Sequence, residues 1–393
     1  MSYASTYLDQ KVSHDLVGRT TQMAQKVAFR SVLIFGGAGF IGSNWARRLL
    51  ETTEAKIHVY DNLARPGSRY NLEWLQKVAG RSGRLQFTIG DVRDQAKVQR
   101  AVKHATEIYN FAAQVAVTTS IADPRLDFEV NVGGTFNILE AARGSSNNPS
   151  VLLASTNKVY GNFSNGLARV EGKRYVAPES ATGTSESQPL DFHSPYGCSK
   201  GAADQYVHDY ARIYGLRTVV FRMSCIAGPR QFGNEDQGWV AHFLHAALLR
   251  TPLVIYGSGL QVRDVLHVED LLNAFEAVHK CPAVTRGQVY NIGGGARNTT
   301  SLLELVDAIA ELTGVRPHYE LESGRSGDQL VYVTDHSKFT GDTGWMPRAG
   351  ILDILASLQT WFRLNRGKVA STKNSLLQPA IAPVLTEMER AAS

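Results

Sequence analysis

Residues 31–42 read Ser-Val-Leu-Ile-Phe-Gly-Gly-Ala-Gly-Phe-Ile-Gly, and Asp61 stands 19 residues beyond the last of these glycines. Val32 to Phe35 form a short apolar run of the kind that makes a buried strand. The run breaks at glycine, and Ser43 to Leu50 continue at helical period. A second apolar run, Ile57-His58-Val59-Tyr60, ends on Asp61. This is one βαβ unit with a dinucleotide fingerprint in its first turn. Gly36 permits the tight turn. Gly39 lets a pyrophosphate approach the backbone at a helix N-terminus that carries partial positive charge. Gly42 lets helix and strand pack closely. Asp61 is placed to accept from the adenosine ribose hydroxyls.

The acid also selects the cofactor. A carboxylate there repels a 2′-phosphate, so NAD is expected rather than NADP. Arg65 and Arg69 are the counter-argument, but they lie in the segment 63–69, which can equally approach another phosphate or face solvent.

Composition narrows the class. A chain of 393 residues with 43% hydrophobic content can fill one large or two moderate domains. The net charge of +5 and the absence of long like-charge runs argue against nucleic acid as a partner. Cys198, Cys225 and Cys281 are too few and too scattered for a disulfide framework, and no His/Cys/Asp cluster has metal spacing. No apolar stretch reaches the roughly 18 residues of a membrane span. Residues 1–30 lack the apolar core of a signal peptide and carry Asp9 and Asp15. A cytoplasmic setting is expected, with no membrane association.

Strands and helices alternate from residue 31 to about 160. Candidate strands are 32–35, 57–60, 85–89, 107–111 and 151–155, which predicts an α/β fold with a doubly wound parallel sheet. A polar loop is expected over 161–190, a helix over 195–214 and a strand over 217–223. Residues 1–29 read as an N-terminal extension and 30–224 as a Rossmann dinucleotide-binding domain, to which part of 254–291 returns. Residues 225–362 read as a smaller mixed α/β substrate lobe, with an apolar helical stripe at 301–313. Residues 363–393 read as a tail.

Tyr196 and Lys200 are four apart at the start of the 195–214 helix, so they share a face. A tyrosine is a poor base at neutral pH, and a neighbouring ammonium stabilises its phenolate. Such a pair on an exposed helix is unremarkable by itself. Thr156 decides between the readings. It closes the fifth candidate strand, and ligands of a doubly wound sheet sit at the carboxyl ends of the strands.

With these residues in place the chain resembles the extended short-chain dehydrogenase/reductase superfamily. Gly36-x-x-Gly39-x-x-Gly42, Asp91-Val92, Phe111-Ala112-Ala113-Gln114, Thr156 and Tyr196-x-x-x-Lys200 carry the likeness, and it extends from about 31 to 362. The branch is that of nucleotide-sugar epimerases and dehydratases, and the 2-epimerases of CDP-linked sugars are most similar. That finer likeness rests on segments 61–63, 71–75, 113–120, 155–161, 228–233 and 261–268. The resemblance implies that Tyr196 is the general base, that Lys200 binds nicotinamide ribose and lowers the tyrosine pKa, and that Thr156 bonds the reacting hydroxyl. It implies a cofactor site built from Gly36, Gly39, Phe40, Ile41, Gly42, Asp61, Asn62, Asp91, Val92, Ala112, Ala113, Gln114 and Lys200. It implies substrate contacts from Thr118, Arg230, Arg263 (diphosphate), Arg325 and Asp328 (nucleoside end). The chain departs from the pattern at Phe35, where the branch usually has Thr, and at Ala227, where it usually has Tyr.

Asn157-Lys158 follow Thr156 where the 4,6-dehydratases have Asp-Glu. An amide cannot protonate a leaving hydroxyl, so elimination lacks its acid. The expected activity is therefore NAD-dependent epimerisation of a nucleotide-diphosphate sugar by transient oxidation to a ketosugar and return of hydride, and the resemblance implies C2 of a CDP-linked sugar as the site. The alternatives are a 4-epimerase or another nucleotide-sugar oxidoreductase, and an NAD-binding scaffold without catalysis. A homo-oligomer is expected.

Overall fold

The computed structural model describes residues 30–162, 166–325 and 327–376, so the expected extension at 1–29 and residues 377–393 of the expected tail lie outside the described residues. Seven strands form the central sheet: β1 (Ser31–Phe35), β2 (Lys56–Asp61), β3 (Leu85–Ile89), β4 (Glu107–Asn110), β5 (Ser150–Thr156), β6 (Thr218–Met223) and β7 (Gln288–Ile292). They run in the order β7–β6–β5–β4–β1–β2–β3, and every pairing is parallel. A parallel sheet is covered on both faces, so its central strands are unbroken apolar runs. Val32 and Ile34 face one core while Leu33 and Phe35 face the other.

On the first face lie α1 (Phe40–Thr52), α2 (Ser68–Ala79) and α6 (Val268–Lys280), which contribute Trp45, Leu72, Leu75, Leu271 and Phe275. On the second lie α3 (Gln95–Val102), α4 (Gly134–Arg143) and α5 (Pro195–Tyr214), with Val98, Ile138, Leu139, Ala203 and Val207. β7 and α6 come from far along the chain, so the late sequence completes the early sheet. A separate core, including Leu244, Ile255, Leu305, Ile309 and Leu358, joins α7 (Trp239–Leu249), α8 (Leu302–Thr313) and α9 (Ile351–Leu376). α8 starts in a reciprocal cap between Ser301 and Glu304.

One buried ion pair ties α5 to the sheet. Asp204 on α5 takes two hydrogen bonds of 2.9 Å from Arg222 on β6 and one of 2.8 Å from Ser155 on β5. Arg222 also donates to the Tyr160 hydroxyl, which donates to Asn291 on β7. Both side chains are buried, so each charge depends on the other.

Two segments differ from the sequence reading. The stretch 161–190 is not all loop. Arg169–Glu171 and Arg174–Val176 pair as a small antiparallel hairpin. Ion pairs from Lys173 to Asp307 and from Arg174 to Glu304 bind it to α8, and such long-range charge pairing has no local signature. The tail is helical as far as Leu376, bending at Asn365, which has φ −127° and ψ 17°. Beyond the bend few residues turn inward, chiefly Val369 and Thr372, too few to give a period.

α7 carries His242 and His245 inward, and neither imidazole finds a hydrogen-bond partner among the described residues. His245 stacks on Phe362 at 5.3 Å. Burial, assisted by Lys373, drives both imidazoles from 6.5 down to about 3. The unfolded chain therefore takes up protons below about pH 6.5 that the folded chain refuses until about pH 3, and stability falls as pH falls through that window. We expect His245→Phe to keep the stacking and remove one titration. The urea midpoint should then drop less between pH 7 and pH 5 than in the parent, by about 2 kcal/mol in unfolding free energy. An unchanged drop contradicts the assignment.

Candidate active site

A cleft of about 360 Å³ opens at the carboxyl ends of the strands, within the roughly 300–1,000 Å³ range of ligand sites. One end is built by the glycine turn. Gly36 has φ +71°, and a Cβ there would lie 2.7 Å from the Ala112 backbone nitrogen. At Gly42 a Cβ would lie 2.4 Å from the Gly36 carbonyl. No side chain caps α1, so its first-turn N–H groups are left for a ligand, and Gly39, Phe40, Ile41 and Gly42 line the cleft there. Asp61 accepts from the Ala38 N–H at 3.0 Å and the Leu63 N–H at 2.8 Å, which fixes its carboxylate at the rim. Burial raises its pKa, and these N–H groups work against that. Asn62, Asp91, Val92, Ala112 and Ala113 continue the wall. Burial pushes the Asp91 carboxyl up, but two bonds of 3.0 Å from Arg93 bring it below its usual range. These features fit a dinucleotide: an uncapped helix end for the pyrophosphate and an oriented carboxylate for the ribose.

The other end holds Thr156, Tyr196 and Lys200. Ser194 caps α5 and Pro195 starts it, which sets Tyr196 in the first turn over the end of β5. Burial raises the Tyr196 pKa to about 12, against a hydrogen bond from Thr156 and the nearby Arg65 cation, and with Asp127 adding to the rise. The cation acting on the phenol is Arg65 rather than Lys200. The Lys200 ammonium donates to the Ala154 carbonyl at 2.6 Å, and burial lowers its pKa to about 8. Sequence spacing alone could not distinguish an ammonium on the phenol from one turned to the strand beside it.

The remaining substrate and cofactor candidates separate. Arg230 lines the cleft with its guanidinium 3.8 Å over the Trp74 ring. Gln114 lies beneath the cleft, with its amide closed on Ala116 at 2.8 and 2.5 Å. Thr118 and Arg325 meet on Asp236, at 2.8 and 3.4 Å. Arg263 and Lys158 share Asp328, at 2.7 and 3.2 Å. Lys158, in the turn Asn157–Tyr160 just after Thr156, is therefore half-buried and paired. Cys225 and Trp239 also line the cleft without having been singled out, as do Gln231 and Phe232 of the family segment 228–233. Among the described residues no group of His, Cys, Asp and Glu could hold a metal ion, and no helix is long and apolar enough to cross a membrane.

The NAD dependent epimerase/dehydratase family matches residues 32–293. The chain belongs to this family. It is 42% identical over 337 residues to CDP-paratose 2-epimerase of Salmonella typhi, covering 84% of this chain and 98% of that protein. It is 31% identical over 368 residues to dTDP-glucose 4,6-dehydratase of Salmonella typhimurium, covering 88% and 96%. Among solved structures it is similar to the dTDP-glucose 4,6-dehydratase DesIV of Streptomyces venezuelae, with TM-score 0.72 and 30% identity over 86% of this chain and 98% of that one. It is also similar to UDP-glucose 4-epimerase of Thermus thermophilus in complex with NAD, with TM-score 0.69 and 31% identity over 85% and 99%. NAD is the cofactor of the family, as the Asp61 carboxylate requires.

Ligand binding followed by protein fluorescence should show NAD preferred to NADP by about tenfold or more, and Asp61→Ser should narrow that gap. Equal affinities in the parent protein contradict the reading of Asp61.

Proposed function

We propose that this enzyme inverts C2 of a CDP-linked hexose or deoxyhexose. One observation carries the choice of epimerisation over elimination. Among the described residues the only carboxylates lining the cleft are Asp61 and Asp91, both at the dinucleotide end. No acid stands beside Thr156 and Tyr196 to protonate a departing hydroxyl. Asn157 is buried, and Lys158 is held on Asp328. The identity to the Salmonella typhi 2-epimerase supports the carbon and the nucleotide.

NAD, when bound, supplies a hydride acceptor that becomes the donor of the return step. Thr156 orients the reacting hydroxyl. Tyr196 takes its proton during oxidation and gives it back during reduction, so the site gains no proton over a turnover. Lys200 holds the nicotinamide ribose. Arg263, Arg325 and Asp328 belong to the nucleotide end, where a held diphosphate leaves the ketosugar free to turn and present its other face. Burial of Tyr196 and Lys200, at 8% and 4% exposure, keeps solvent from the exchanged proton.

A panel of CDP-, UDP-, GDP- and dTDP-sugars incubated in D₂O and read by NMR tests this. The expected product is a C2 epimer of a CDP-sugar with no deuterium at the inverted carbon and no net change in NAD. Solvent deuterium at that carbon, or a keto product lacking one water, overturns it. Tyr196→Phe should lower kcat by about 10²-fold or more with NAD binding nearly intact.

We also infer a homodimer. Phe136 on α4 and Tyr206 on α5 are 42% and 46% exposed, with ring centroids 6.0 Å apart, and Tyr214 extends the apolar face along α5. A second copy of this face would cover them. Light scattering should give twice the chain mass, and Phe136→Glu should give the monomer. A parent protein already monomeric contradicts the inference.

A further inference from the structure

The short helix Pro124–Phe128 carries a carboxylate that the reaction above does not use. Asp127 is fully buried. Its Oδ1 accepts from Asn131 Nδ2 at 3.2 Å, and its Oδ2 has no partner among the described residues. Asn131 sits in a π-helical turn, Glu129–Gly133, whose extra residue per turn aims the amide inward. There it bonds Gln114 and, at 2.9 Å, the Ser199 hydroxyl. Ser199 faces the carboxylate and also bonds the Tyr196 carbonyl, so it lies between Tyr196 and Lys200 along α5.

The charges under the active site can be followed one by one. Two carboxylates act on the Lys200 ammonium, Asp204 and Asp127. Asp204 is already matched by Arg222 through two bonds of 2.9 Å. Asp127 forms no ion pair with any described residue. Arg125, on the same short helix, turns outward to Glu129. The neighbouring helix Val117–Ala122 bears no titratable group. The groups facing Asp127 are therefore Asn131 and Ser199, both neutral, with Lys200 and Tyr196 beyond them. Tyr196 in turn faces Thr156 and Arg65.

We propose that Asp127 is the counter-ion of Lys200 and a positioning residue for the Tyr196–Lys200 pair, setting the pH window in which the ammonium and the phenol work together. Burial raises the Asp127 carboxyl above its usual range, and what holds it toward the charged form is the facing Ser199 hydroxyl and the Lys200 ammonium beyond it. The same negative charge favours the protonated form of both partners. It supports the ammonium against burial, and it opposes the phenolate. Loss of the charge must then move both groups the same way, toward lower pKa.

That common direction is the test, because a packing defect does not produce it. In kcat–pH profiles Asp127→Asn should shift both limbs to lower pH by about 0.5–1 unit, with activity largely retained at the new optimum. Asp127→Glu keeps the charge and should leave the limbs in place. NMR titration of ¹³C-labelled lysine, with the Lys200 signal assigned through Lys200→Arg, should show the lower ammonium pKa in Asp127→Asn without any substrate. This second readout separates failure of the inference from failure of the assigned reaction, on whose tyrosine base it rests. Limbs and lysine signal that stay put in a folded Asp127→Asn overturn the proposal. So does an equal shift in Asp127→Glu, or loss of folding in both variants.

Discussion

The active site depends on the buried pair Asp204–Arg222. Much of what joins α5 to the rest of the fold is apolar contact that by itself could slide, and a catalytic tyrosine tolerates little sliding. The bidentate contact removes that freedom. It fixes one point of α5 against β5 and β6 at once, through Ser155 and Arg222, and extends to β7 through Tyr160 and Asn291. Lys200 lies one turn before Asp204 and Tyr196 one turn before that, so the tether sits directly below the residues it must hold. Removing one member of such a pair leaves a bare buried charge and costs about 3–5 kcal/mol. Replacing Arg222 by an apolar side chain would thus lose both stability and alignment.

The parts of this site legible in the sequence are those fixed by local geometry. A glycine turn followed by a helix and then by an acid is set within one βαβ unit, so Gly36, Gly39, Gly42 and Asp61 could be assigned from their spacing. Tyr196 and Lys200 share a helix face, and Thr156 ends a strand. Each of these needs only the neighbouring chain. What stayed hidden depends on residues far apart. Asp127 gains its meaning from Lys200, 73 positions on. Lys158 finds its partner in Asp328, 170 positions on. Gln114 belongs to a shared family segment, yet its backbone is tied to the Asn131 amide, 17 positions on. Beyond its bend at Asn365 the C-terminal helix buries chiefly Val369 and Thr372, too few to show a period.

Charge is held in two ways around the site. Asp61 is met by backbone N–H groups, which carry no net charge and are placed by the turn itself. Elsewhere charge is met by charge, with Arg93 on Asp91, Asp236 under Arg325 and Asp328 under Arg263 and Lys158. Under the proposed reaction, the arginines of the second kind are the ones a diphosphate would engage on arrival and relinquish on leaving.

Asp328 has one further consequence. It is a single acid between two cations, one borne by the loop after β5 and the other by the second lobe. The three positions are therefore unequal in what they tolerate. Losing either base leaves a matched pair behind. Losing the acid leaves two positive charges facing each other without the carboxylate between them. Among natural variants of this chain, substitution should be rarest at the acid, and where it changes, one of the two bases should change with it.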